Sequence, residues 1–278
     1  MKYKKHRLIR KIARLLKNFL ARRSVYIERA VEPQNIINLA KKLRPVKTKF
    51  ELVRVGGVGD GGYLLPDDLA DLAACFSPGV AGTATFEMDL LQNRGVNSHL
   101  ADFSVDGPPM GFQPISFTKR YIGTVNDEMF MTLDKWVSDQ KEYASGLDML
   151  LQMDIEGWEY PTLLSTSEEI LKRFRIIVLE LHDIESWGHP HFFRIAEAFF
   201  AKLLTHFHVV HNHPNNYCGV INLGGFDAPR VLEITLLRKD RSDALGYCSE
   251  FPHHLDVPNV AKYEDIPLPQ GWYHFSEP

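Results

Sequence analysis

The sequence predicts an α/β fold built on a mostly parallel, helix-covered sheet of seven strands, and three observations carry that expectation. From residue 72 onward, short apolar runs alternate with helically spaced segments, the order that winds into a parallel sheet. The stretch LDMLLQMDIEGWEYPTLL, residues 147–164, sets Met149, Leu150, Leu151 and Met153 in nearly unbroken apolar succession, as in a strand buried on both faces. The last two apolar runs, 208–213 and 231–239, are joined without a helical pattern, so they are expected to pair antiparallel as a terminal hairpin.

Residues 1–24 place apolar side chains at 8, 9, 12, 15, 16, 19 and 20, with Lys and Arg on the other face. This is the stripe of an amphipathic helix. Glu32-Pro33 separates it from a second short helix over 34–43, which Arg44-Pro45 ends. ELVRV (51–55) reads as a short strand. The core then runs strand 72–77, helix 84–95 ending at Gly95, strand 96–102, a Pro/Gly-rich loop over 106–114, strand 115–123 and helix 132–140. After it come the strand ending at Asp154, a helix opening at EYPTLL, strand 175–182, the amphipathic helix 191–207 and the two closing strands. The expected division is a helical extension over 1–45, a core domain over 46–240, and an irregular tail over 241–278 packed on that domain.

Two glycine loops stand out. VRVGGVGDGGYLLP contains Gly57-x-Gly59-x-x-Gly62, a formal dinucleotide fingerprint. That motif requires a helix directly after its last glycine, and here Tyr63 to Pro66 follows instead. A tight loop between two short strands is the expectation, with Asp60 and Tyr63 as candidate ligand contacts. The second loop, FSPGVAGTATFEMDLL, follows a strand and opens a helix, with Gly79 at the turn and Val80 beside it. Asp102 ends the next strand, 23 residues after Gly79, with Phe103 following. An acid there can accept the ribose hydroxyls of an adenosine cofactor. The lack of a full glycine fingerprint at this turn disfavours NAD, whose pyrophosphate needs backbone amides.

Later strand ends gather polar residues. Asp154 and Glu156 follow one strand, His182 the next, and His211, His213, Asn215 and Asn216 the one after. In a wound sheet such ends form the ligand-binding rim. Histidine suits a general base, and His182 is the first choice, with Asp154 and Glu156 beside it. A divalent metal on Asp154, His182 and His213 is the competing use of the same residues, and hydrogen-bonding structure a third.

Composition sets outer bounds. Of 278 residues 45% are hydrophobic and 24% charged, ordinary for a water-soluble domain. Three cysteines, Cys75, Cys218 and Cys248, form no C-x-x-C pair, which argues against a disulfide framework and fits a reducing, cytoplasmic setting. Residues 1–24 hold ten Lys and Arg and no acid, leaving 22 basic against 35 acidic residues, about −13, in the remainder. That segment has no long unbroken apolar run, so neither a secretory signal nor a membrane span is expected. An anionic membrane surface and a packing or oligomer contact are the open partners for it. No nucleic acid is expected from so acidic a body.

The set R-x-G-G-x-x-D-G-G-Y (Arg54 to Tyr63), F-S-P-G-V (Phe76 to Val80), Asp102, MDIEGWE, VLELH and HNHPNN…VLEITLLRK resembles the FkbM-type S-adenosylmethionine-dependent methyltransferases. The resemblance covers roughly residues 50–240. It implies a class I methyltransferase, Rossmann-like fold and S-adenosylmethionine held by the Gly79 loop and Asp102. By position, Asp154 and Glu156 would border cofactor and acceptor. The implied reaction is O-methylation of a small-molecule or glycan hydroxyl, on a saccharide or glycolipid. A metal-dependent form of that reaction, an NAD-dependent oxidoreductase and a non-enzymatic membrane-peripheral protein are the alternatives.

Overall fold

The computed structural model describes residues 14–275, so the expectation for residues 1–13 lies outside the described residues. Helix α1 covers residues 14–21. Helix α2 (Pro33–Lys42) opens on a proline, which costs nothing where the N–H has no helical partner. It buries Ile36, Leu39 and Ala40 in the main core. Strands β1 (Leu52–Val55) and β2 (Tyr63–Pro66) form an antiparallel hairpin around the first glycine loop. Then follow β3 (Cys75–Pro78), α3 (Thr85–Arg94), β4 (Ser98–Ala101) and β5 (Ser116–Thr118). Strands β6 (Tyr121–Gly123) and β7 (Phe130–Thr132) pair parallel outside the main sheet. The chain continues through α4 (Leu133–Ser138), α5 (Lys141–Ala144), β8 (Met149–Met153), α6 (Glu159–Ser165), α7 (Glu168–Leu171) and β9 (Phe174–Leu181). It closes with α8 (Pro190–His206), β10 (Phe207–Pro214), the small β11 (Val220–Asn222) and β12 (Asp227–Pro229) pair, and β13 (Leu232–Arg238).

The central sheet has seven strands in the order β10-β13-β9-β8-β3-β4-β5. Pairings among β9, β8, β3, β4 and β5 are parallel, and β13 runs antiparallel to both β9 and β10. Adjacent residues point to opposite faces. Leu151, Ile177 and Leu179 therefore enter one core cluster, and Leu150, Ile176 and Val178 the other. Helices α2, α4, α6 and α8 cover the first face, and the β1–β2 hairpin with α3 the second. Burial on both faces explains the continuous apolar runs of the sequence. Cys75 sits fully buried in β3 as a core residue, and burial pushes its thiol up.

One expected element divides. The predicted strand 115–123 separates into β5 and β6 because Arg120 N–H donates to Thr118 O (2.8 Å), turning the chain out of the sheet. After the turn, β6 finds its partner in β7. Parallel winding places the carboxyl ends of β3, β4, β8, β9 and β10 on one rim, and the reversed β13 brings its amino end to the same rim.

Candidate functional site

A cavity of about 550 Å³ opens at that rim. Its lining includes Asp60, Tyr63, Gly79, Val80, Asp102, Asp154 and Glu156, seven of the residues that the sequence pattern picks out. Phe103 lies beside the cavity, its ring 5.2 Å from that of the lining residue Tyr121.

Gly79 makes the crossing of two strand ends feasible. Its φ is +88°, and a Cβ there would lie 1.6 Å from the carbonyl oxygen of Asp154. Only glycine fits. Gly79 N–H donates to Ala101 O (2.9 Å), which fixes the turn against β4. Asp102 then ties the two loops together. Its Oδ2 accepts from Ala81 N–H (2.9 Å), and its Oδ1 accepts from Ser104 N–H and Oγ–H (both 2.7 Å). A carboxylate offers about four lone-pair sites, so one acceptor site on Oδ2 is unused among the described residues.

The glycine loop of the hairpin is held from below. Arg54 donates through Nε to Gly57 O and through Nη2 to Gly59 O, both at 3.1 Å. Strand β2, not a helix, follows Gly62. The amide-lined helix start that a dinucleotide pyrophosphate requires is therefore missing at this loop.

The turn after β8 explains the D-x-E-G-x-E spacing. Glu156 takes φ +55° and Gly157 φ +94°. Glu159, fully buried, accepts from Ile155 N–H (3.0 Å) and Gly157 N–H (3.1 Å), and pairs with His182 Nδ1 (3.3 Å). Glu159 thus fastens the turn to the end of β9. Glu156, mostly exposed, reaches His182 Nε2 at 3.5 Å. Asp154 points inward, and its Oδ1 is shielded from solvent without a hydrogen-bond partner among the described residues.

Electrostatics differ across this cluster. Burial pushes Asp154 up to about 7, offset in part by the charge of His182 and a hydrogen bond with the Glu180 carboxyl. Burial also raises Glu180, aided by the neighbouring Asp154 and Glu233 charges; Asn215 Nδ2–H donates to it at 2.6 Å. Burial alone lowers His182, but the hydrogen bond and charge of Glu159, with Asp154 and Glu180, outweigh it and raise His182 to about 9. His182 is therefore an imidazolium at neutral pH.

The expected metal set is corrected. Asp154 and His182 do converge, but their third partner is Glu156, with ligand atoms all within 4.8 Å of one another. His213 is elsewhere engaged: buried, it pairs through Nδ1 with Glu233 (3.3 Å) and through Nε2 with Asp265 (3.0 Å). Burial opposes its charge, but those two hydrogen bonds raise it to about 10. It clamps the tail onto β13 and β10.

Sequence reasoning passed over a polar floor. Ser77 Oγ lies between Glu87 and Gln152, 2.7 Å from Gln152 Oε1, and Gln152 Nε2–H donates to the Tyr63 hydroxyl at 3.4 Å. One hydroxyl proton cannot serve both neighbours; burial raises the pKa of Glu87, and its hydrogen bond with Ser77 opposes that rise. The signal was Gln152, a lone amide inside an apolar strand. Across the cavity, Tyr121, Phe130 and Trp158 form an aromatic row with centroids 5.6 Å apart at each step, and Trp158 is 47% exposed.

A family model described as Methyltransferase FkbM domain matches residues 31–209, from α2 into β10. No curated protein and no solved structure matches the chain.

Proposed function

The chain belongs to the FkbM methyltransferase family, and from that premise we propose that it moves the methyl group of S-adenosylmethionine to a hydroxyl of a saccharide or glycolipid. The observation that carries this is one cavity holding the glycine turn, the Asp102 acceptor, the Asp154 carboxyl and an aromatic row. S-adenosylmethionine supplies a methyl group on a positively charged sulfur, which an oxygen nucleophile takes in line.

The residues present fit that cofactor. The unused Oδ2 site of Asp102 accepts a ribose hydroxyl. Gly79 lets the backbone approach the ligand closely. Asp154, with a pKa of about 7, takes up the proton of the acceptor hydroxyl as that oxygen reacts. The imidazolium of His182 favours the ionised form of Asp154 and is positioned in turn by Glu159. The apolar faces of a sugar ring find a flat partner in the row from Tyr121 to Trp158. Holding acceptor and carboxyl together supplies the proximity term of the rate.

Asp154→Asn is expected to retain S-adenosylhomocysteine binding and to lower kcat by about 10²- to 10⁴-fold, the usual worth of a positioned base. Turnover equal to the unaltered enzyme, measured with labelled S-adenosylmethionine and a panel of glycans, would sink the assignment of Asp154. A second reading, a divalent ion on Asp154, Glu156 and His182, draws on their convergence. A bound ion would displace the proton from His182, so chelator treatment separates the two readings: activity that survives it supports Asp154 acting without an ion.

Membrane contact is part of the same proposal. Helix α1 leaves Leu15, Leu16 and Phe19 more than half exposed, flanked by Arg14 and Lys17. An exposed apolar stripe beside cations suits an anionic bilayer surface and would bring the cavity near glycolipid acceptors. Among the described residues no helix is long and apolar enough to cross a membrane.

A further inference from the structure

A second cavity, of about 370 Å³, lies at the rim opposite to the one that carries Asp154. Phe207, His208 and Val209 open β10 there, between the end of α8, the chain leaving α2 and the segment 244–247. Four basic side chains line it: Lys42, Arg44, His208 and Lys239. No Asp or Glu does. The acids nearest in sequence are engaged elsewhere: Asp240 with Arg238 at 2.7 Å, and Asp243 with Lys49 at 3.6 Å. This local excess stands on a body whose count outside residues 1–24 is strongly acidic.

Internal contacts use only part of this donor capacity. Arg44 stacks on Tyr247, its Cζ 4.6 Å from the ring centre, and donates one Nη2–H to Cys248 O at 3.4 Å. Its Nε is shielded from solvent and has no partner among the described residues. An unmatched buried donor of this kind is destabilising unless a ligand satisfies it. Lys239 gives one proton to Leu204 O (2.6 Å), leaving two. His208 uses Nδ1 for Ser242 Oγ (3.0 Å), and its Nε2 has no partner among the described residues. The remaining lining, Val46, Leu204, Phe207, Val209, Ala244, Gly246 and Tyr247, carries no polar side chain except the Tyr247 hydroxyl.

We propose that this cavity is a second ligand site, separate from the methyl-transfer cavity, for a phosphate monoester or diester carrying a short apolar body. The phosphate sits among Arg44, Lys42 and Lys239, and the apolar part lies along Phe207, Leu204 and Val46. Guanidinium and ammonium donors suit phosphate oxygens, and the volume suits a small amphiphile. The same chemistry is offered by a soluble phosphorylated metabolite and by a phospholipid headgroup.

The test uses the full chain with n-hexyl phosphate, hexanol and inorganic phosphate in solution, and phosphatidylcholine vesicles with and without phosphatidic acid. Saturable hexyl phosphate binding, weakened at least tenfold in Arg44→Gln/Lys239→Gln and absent for hexanol, supports the site with a soluble source. Binding to phosphatidic acid vesicles alone, weakened in the same variant, supports the site with a lipid source. A readout on the unaltered protein keeps the proposal falsifiable should the variant misfold. Burial and Lys239 hold His208 low, so a bound phosphate is expected to move its NMR titration upward. Absence of binding in both arms, equal binding by a folded variant, or an unmoved His208 titration at saturating ligand would overturn the proposal.

Discussion

Asp102 and Asp154 line one cavity under different constraints. Asp102 already accepts three hydrogen bonds from the loops it joins. Asp102→Ala is expected to weaken S-adenosylhomocysteine binding by about 30-fold or more, the loss of a charge-assisted hydrogen bond of about 2–3 kcal/mol. Calorimetric titration reads it. Asp154 titrates. As pH rises through about 7 it loses its proton and becomes a base, so kcat/KM should climb. As pH rises through about 9, His182 loses its charge while Asp154 stays ionised, so the rise is not reversed there. Asp154→Asn is expected to remove that rise; a profile identical to that of the unaltered enzyme would contradict the assignment. His182 also bears on stability. Its pKa in the fold lies above its ordinary value of 6.5, so its contribution is complete below that value and is lost as pH climbs through about 9.

At the scale of elements, the turns after β3 and β8 interlock. Gly79→Ala would set a Cβ 1.6 Å from Asp154 O in a left-handed backbone. It should destabilise the fold by about 3 kcal/mol or more, because strain and displacement of the β8 end combine. A urea midpoint that drops at unchanged slope checks this; an unchanged midpoint would mean that the turns do not meet so closely. On the cavity wall, Trp158→Ala is expected to raise KM for a glycan acceptor several-fold while S-adenosylhomocysteine binding holds, since an aromatic contact is worth about 0.5–1.5 kcal/mol beyond its area. Equal loss of both would place Trp158 against the cofactor instead. The MDIEGWE turn was legible because its apolar strand and acidic end are local. The role of Glu159 was not: its partners, Ile155 N–H and the His182 ring, become visible only when the turn and β9 are assembled.

The molecule as a whole joins a family-typical core to a tail beyond the matched residues. The strand alternation, the glycine turn and the polar rim could be read locally, because burial on both sheet faces and turn chemistry leave short-range patterns. The fate of His213 could not. It depends on Asp265, 52 residues on, in a segment without periodicity. His213→Gln leaves Glu233 and Asp265 without their cation and is expected to cost about 3–5 kcal/mol, the usual penalty for breaking a buried pair, read as a lowered thermal midpoint. The break between β5 and β6 was hidden for a related reason, since β6 pairs with β7 and does not continue β5, the strand it follows directly. The central claim, an S-adenosyl cofactor bound at the Gly79–Asp102 turn, has one direct test. It is calorimetric titration of the chelator-treated protein with S-adenosylhomocysteine, with NAD in parallel, on the unaltered chain and on Asp102→Ala. Saturable binding of S-adenosylhomocysteine alone, lost in the variant, is the result predicted. Failure of a demonstrably folded chain to bind it, or binding that Asp102→Ala leaves intact, would contradict the account.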